Sequence, residues 1–163
     1  DKSLMTEIID NFLFIGGESN ARDGKWLTQN RIEYILTCAE EVKIISYARK
    51  HLHIKLHDFD HNNMFDREIQ HAIEFIDKCR QQNQRILIHC YAGINRSVTV
   101  AMFYLALREG YDLISAFEYI RGRREYINPV LSQTIINKNR CNNFYSYIID
   151  EASKKYFNTI LPT

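Results

Sequence analysis

Positive and negative side chains nearly cancel in this sequence: 21 Lys and Arg stand against 20 Asp and Glu, a formal net charge of +1 over 163 residues. Without an excess of either sign, the chain gives no reason to expect nucleic acid or a membrane surface as its main partner. Long apolar runs are missing too. None approaches the roughly 18 consecutive residues that a membrane span needs, so no membrane partner is expected. The opening stretch, Asp1 to Asp10, lacks the basic-then-apolar layout of a secretory signal. Cysteines are few and form no CxxC pair: Cys38, Cys79, Cys90 and Cys141 lie far apart. That spacing argues against a disulfide framework and for reduced thiols in the cytoplasm, with the nucleus also open to the chain. Metal-ligand spacing is absent as well. His51 and His53 alternate on an expected strand, and His57 and His61 flank a loop, which reads as solvated or hydrogen-bonded imidazoles. No metal and no cofactor are expected.

What the sequence does contain is enough apolar residue, 45%, for a real core. With no repeat, low-complexity linker or composition break, residues 1–163 read as a single domain. Ile8-Ile9, Asp10-Asn11 and Phe12 to Gly17 predict a β-hairpin with a polar turn. A short helix is expected over 20–30, a strand over 32–37 and a helix over 42–50. Leu52, Ile54 and Leu56 alternate with His53 and Lys55, predicting another strand. Ile69, Ala72, Ile73, Ile76 and Cys79 fall on one face of a helix over 65–82. The run Arg85 to His89 suits a buried central strand. A helix over 97–108 ends at Gly110, and Asp112 caps the next one. Pro129 precedes a last helical region in which Tyr and Phe recur to about Phe157, with Asn-rich patches around Asn137 to Asn143 on its solvated side. Strands alternating with helices predict an α/β fold with a central, mainly parallel sheet flanked by helices.

Residues 89–97 read His-Cys-Tyr-Ala-Gly-Ile-Asn-Arg-Ser, between that central strand and a helix. Ligands of open α/β sheets bind at this carboxyl edge. A backbone curl over Tyr91, Ala92, Gly93, Ile94, Asn95 and Arg96 would aim successive N–H groups inward and make an anion nest. Gly93 supplies the conformational freedom, and the following helix adds its positive end. Arg96 can grip two phosphate oxygens with a planar fork. Cys90 sits at the base of the loop, in a field that favours the thiolate. A thiolate against phosphorus has one natural task, in-line attack to form a cysteinyl-phosphate. Ser97 can then donate its hydroxyl to the departing sulfur. Taken singly, a buried Cys and a surface Arg at this spacing are ordinary. The combination of His, Cys, Gly, Arg and Ser between a strand and a helix is not.

A general acid must come from elsewhere. The segment His57-Asp58-Phe59-Asp60 offers two carboxylates. The inward parity of Leu52, Ile54 and Leu56 admits both Asp58 and Asp60. Position at the carboxyl edge of the expected strand favours Asp58. Cys38, at the carboxyl end of the strand over 32–37, is a candidate redox partner for Cys90, though a small buried apolar residue would look the same.

The loop HCYAGINRS resembles the signature of the dual-specificity protein phosphatases, within the protein tyrosine phosphatase superfamily. The resemblance covers about residues 6–145 through FLFIGGESNA, IEYILTCAEE, IKLHD, AIEFIDKCRQQNQRILIHC and AFEYIRGRREYINP. It leaves 146–163 as a helical extension of unknown role. It implies Cys90 as nucleophile, Arg96 as phosphate clamp, Asp58 as general acid, Ser97 as leaving-group helper and His89 as a support for the loop. It also implies a phosphorylated protein as substrate, with phosphotyrosine and phosphoserine or phosphothreonine all accepted. The chain departs from the family at Pro129-Val130, where Pro-Asn is frequent, so any bracing by that Asn is absent or supplied differently. Phosphoinositide phosphatases of the superfamily tend to carry Lys or Arg inside the loop, whereas Tyr91, Ile94 and Asn95 are uncharged. RNA 5′-triphosphatases share an Asn before the Arg but usually have His-Gly where this chain has Ala92-Gly93. A phosphate-binding module without catalysis would have lost the Cys or the Arg.

Overall fold

The computed structural model describes residues 4–43, 49–58 and 65–132. The chain starts with a hairpin of β1 (Thr6–Ile9) and β2 (Leu13–Gly16), paired antiparallel. Asn11 turns the corner in the left-handed region at φ 59°, and its amide donates to Glu7 Oε2 at 2.8 Å. Asn is one of the few residues that enters this region at little cost.

Two short helices, α1 (Glu18–Arg22) and α2 (Gly24–Gln29), replace the single one expected over 20–30. Asp23 separates them. Its backbone leaves helical geometry, and its carboxylate accepts from Trp26 N at 3.1 Å, capping α2. The remaining elements are β3 (Ile32–Thr37), β4 (Lys50–His53), α3 (Phe65–Gln81), β5 (Arg85–His89), α4 (Arg96–Arg108) and α5 (Leu113–Arg123).

The five strands lie in the order β1-β2-β5-β3-β4, and every pair except β1/β2 is parallel. This is the mainly parallel α/β sheet predicted from the sequence. Side-chain alternation splits its two faces. Leu13, Ile15, Tyr34, Leu36, Ile86 and Ile88 pack into a cluster with residues of α3, α4 and α5. Phe14, Ile35 and Leu87, one residue out of phase, pack on Leu27 of α2. β5 is covered on both faces and paired on both edges. Ile86, Leu87 and Ile88 are fully buried, each worth about 1.5–3 kcal/mol by apolar transfer. The strand that leads into the loop is thus seated in the interior of the sheet.

Two expectations need correcting. The strand over 52–56 is displaced: β4 ends at His53 because its partner β3 ends at Thr37, the residue paired with His53. Ile54 N still donates to Thr37 O at 2.8 Å, and Ile54 and Leu56 stay buried while Lys55 and His57 are exposed. The inward parity therefore outlasts the strand, and Asp58 lies five residues beyond its end, not at its edge. The helix expected over 42–50 falls mostly outside the described residues, and Lys50 belongs to β4. Cys141, His61, Asp60, most of the helical region after Pro129 and the extension 146–163 also lie outside them. Among the described residues, no helix is long and apolar enough to cross a membrane.

Candidate active site

Between β5 and α4 the chain curls with its carbonyls tied outward, one after another. His89 O accepts from Cys38 N at 2.8 Å, Tyr91 O from Glu18 N at 2.7 Å, Ile94 O from Asn128 N at 2.9 Å and Asn95 O from Thr99 N at 2.8 Å. Cys90 O faces His89 Nδ1 at 3.1 Å. Arg124, buried beneath the loop, donates Nε to Gly93 O at 2.8 Å and an Nη2 hydrogen to Ala92 O at 3.4 Å. In a trans peptide the N–H of the next residue points opposite to the carbonyl. Each outward tie therefore turns an N–H toward the concave side, which makes the nest. Gly93 sits at φ +70°, and a Cβ there would fall 2.7 Å from the Gly16 backbone and 2.6 Å from Arg124 Nη2, so only glycine fits.

The concavity is a cavity of about 300 Å³. Its lining includes Asp58, Cys90, Arg96 and, on the far segment, Asn128 and Val130. Cys90 Sγ accepts from Gly93 N at 3.3 Å and lies 3.3 Å from Ser97 Oγ. Arg96 is 3% exposed. The two terminal nitrogens of its guanidinium each donate to one Glu41 carboxylate oxygen at 2.6 Å, and Nη1 also donates to Leu56 O at 3.1 Å. Burial opposes the Arg96 charge, but the Glu41 bonds and the Asp58 carboxylate outweigh it and raise its pKa further. The same bonds from Arg96 pull Glu41 below the usual carboxylate range. Arg96 Nε is buried without a hydrogen bond, although Asp58 Oδ1 lies 3.1 Å away as an ion-pair partner out of line with the N–H. With that angle the Nε donor has a counter-charge but no acceptor. A buried donor left this way costs about 1–3 kcal/mol unless a ligand meets it.

His89 is held by a chain of three side chains. Burial pushes its pKa down to about 4, so the ring is neutral near neutral pH. Facing the Cys90 carbonyl, which can only accept, Nδ1 must carry the hydrogen. Nε2 then accepts from the Thr37 hydroxyl at 2.7 Å, and Thr37 Oγ1 accepts in turn from His51 Nε2 at 2.7 Å. The tautomer follows from the partners.

The structure brings His89, Cys90, Arg96, Ser97 and Asp58 to one place, with Tyr91, Ala92, Ile94 and Asn95 along the rim. Tyr91 is 63% exposed at the mouth. Asn95 turns its carboxamide away from the nest: Nδ2 donates to Asp58 O at 2.7 Å and Oδ1 accepts from Leu131 N at 2.9 Å. The segment after Pro129 is thus tied to the loop by the Asn95 carboxamide. Cys38 is fully buried, and burial raises its thiol pKa well above the ordinary value. Sequence reasoning missed Glu41, Thr37 and Arg124. Glu41 was visible only as one of two adjacent acids, and nothing local marks which of them faces Arg96. Among the described residues no group of three or more His, Cys, Asp or Glu could hold a metal.

Residues 13–141 match the family model described as the dual specificity phosphatase catalytic domain. The chain is 32% identical over 129 residues to mouse dual specificity protein phosphatase 22, covering 79% of this chain and 69% of that protein. The chain spans between about a quarter and about two thirds of the length of the curated relatives it matches. The crystal structure of DUSP15 superposes with a TM-score of 0.75 at 23% identity over 93% of this chain and 96% of that one, a likeness of fold. The human tyrosine phosphatase-like serine/threonine/tyrosine-interacting protein gives 0.70 at 26% identity over 94% and 97%.

Proposed function

The chain belongs to the dual-specificity phosphatase family, and from that premise we propose that it hydrolyses phosphate esters of protein tyrosine, serine and threonine side chains through a cysteinyl-phosphate. The observation that carries this reading is the ring of outward carbonyls around Cys90 with a buried, acceptor-less Arg96 Nε beside it. In the first step Cys90 Sγ forms a bond to phosphorus as the ester oxygen leaves, and Asp58 gives that oxygen its proton. The nest and the Arg96 edge hold the equatorial oxygens, where charge is spread. In the second step water attacks phosphorus, its proton passes to Asp58, and the sulfur leaves with the Ser97 hydroxyl donating to it. Glu41 grips the end of the guanidinium and leaves the Nε side turned to the cavity.

The test is a panel of phosphotyrosine, phosphoserine and phosphothreonine peptides, a phosphoinositide and a 5′-triphosphorylated RNA. Turnover of the peptides is expected. Turnover confined to the phosphoinositide or the RNA would overturn the protein-substrate reading. The uncharged Tyr91, Ile94 and Asn95 leave the rim without the extra cations that a polyphosphorylated headgroup would call for.

We also propose that Cys38 resolves oxidised Cys90. Its amide donates to His89 O, and Cys38 directly follows β3 as Cys90 directly follows β5. Peroxide converts a thiolate to sulfenic acid, and attack by a thiol then gives a disulfide and water. Burial keeps the Cys38 thiol protonated, so capture is slower than by an exposed thiol. Peptide mapping after peroxide should find a Cys38–Cys90 linkage, and Cys38→Ser should recover less activity on reduction. If no linkage appears and recovery matches wild type, the idea is dead.

A further inference from the structure

Asn95 occupies the N-cap of α4 but does not cap it. An Asn in that position ordinarily turns its oxygen onto a first-turn N–H, worth about 1 kcal/mol. Here no such bond forms. The carboxamide is instead spent on two other segments, and the side chain is only 8% exposed. Leu131 N is a pure donor, so the atom facing it at 2.9 Å must be Oδ1. Nδ2 therefore faces Asp58, donating to its carbonyl at 2.7 Å and to its carboxylate Oδ1 at 3.3 Å. The flip state is fixed by the partners.

We propose that Asn95 is the positioning residue for the general acid: it fixes the backbone and one carboxylate oxygen of Asp58, so that the other oxygen is presented to the leaving group. The proposal rests on the reading of Asp58 as the acid. Asp58 lies five residues beyond the end of β4 and is 47% exposed, so the strand does not hold it. Its two described side-chain contacts, Asn95 Nδ2 and Arg96 Nε, both fall on Oδ1. Neither engages Oδ2. A proton carried there can reach a leaving oxygen without breaking either contact. Through Leu131 the same carboxamide ties this arrangement to the segment after α5, so three separate segments meet at one side chain.

The test is the ratio of kcat for phenyl phosphate to kcat for p-nitrophenyl phosphate. The phenolate of the first is the more basic leaving group and depends more on protonation. Asn95→Ala removes the whole carboxamide. Asn95→Asp keeps its shape and the acceptor for Leu131 N, but loses the Nδ2 donor and sets a carboxylate against Asp58. Both variants should lower the ratio about 10-fold, as expected for a misplaced catalytic group. Neither should lower it further in an Asp58→Asn background. A purely structural role would depress both esters together and leave the ratio alone. An unchanged ratio in Asn95→Asp, or full multiplication with Asp58→Asn, overturns the proposal. If Asp58→Asn by itself leaves the ratio unchanged, the acid assignment fails first and takes this proposal with it, and that single variant distinguishes the two failures.

Discussion

Cys90→Ser is expected to abolish turnover and to leave phosphopeptide binding in place. A serine hydroxyl nearly matches the thiol in shape but stays protonated at neutral pH, so the attacking electron pair is gone. Removal of a covalent nucleophile can cost about 10⁶ in kcat. Binding survives because little of the anion site is built on the sulfur. The carbonyls of residues 89–95 are held by Cys38, His89, Glu18, Arg124, Asn128 and Thr99, none of which touches Sγ in doing so. Calorimetry with a phosphopeptide and a turnover assay on the same preparation check both halves. Arg96→Lys should fail in both, since an ammonium can neither keep the paired bonds to Glu41 nor offer a second planar edge. Robust hydrolysis by Cys90→Ser would falsify the covalent mechanism.

The second large effect is expected at Asp58. Asp58→Asn should lose about 10²–10⁴ in kcat, the usual scale for a general acid, and should lose the alkaline limb of the pH–rate profile. Serine and threonine esters should suffer most, since an alkoxide leaves poorly without a proton. Asp60→Asn should do little. The choice rests on Asp58 itself, which lines the cavity with its carboxylate 3.1 Å from Arg96 Nε. A large loss in Asp60→Asn with a near-normal Asp58→Asn would mean the acid was assigned to the wrong carboxylate.

The parts of the fold that could be read from the sequence were those with a local cause. The apolar runs Ile32–Thr37 and Arg85–His89 became β3 and β5 with those bounds. The inward face Ile69, Ala72, Ile73, Ile76 and Cys79 is buried on α3 as its spacing predicts. Asp112 caps α5 by accepting from Ser115 N at 2.8 Å. The loop around Cys90 was legible because its residue types and order are tied to one chemistry. What stayed hidden is set by pairing across the chain. β4 stops at His53 because β3 has run out, a fact about the partner and not about Ile54 or Leu56. Glu41, Thr37 and Arg124 meet the loop only after the sheet has assembled. The sequence offers Asn95 as one of the phosphate-binding residues of the nest, and only the surrounding segments reveal where its side chain goes.

Arg124 has a consequence for the order in which the molecule is built. Its guanidinium reaches Leu4 O, 120 residues away in sequence, and from the same position holds the carbonyls of Ala92 and Gly93. Thr37 meets His89 across 52 residues. Such contacts have high contact order, and loop closure must come before they give anything back. β5 also needs β2 and β3 in place on either edge, both made earlier in synthesis. A chain growing from the ribosome therefore carries the Cys90 thiol before α5 has delivered the arginine that shapes the loop. The carbonyls of Ala92 and Gly93 gain their guanidinium partner only once Arg124, just past α5, has been made and docked under the loop.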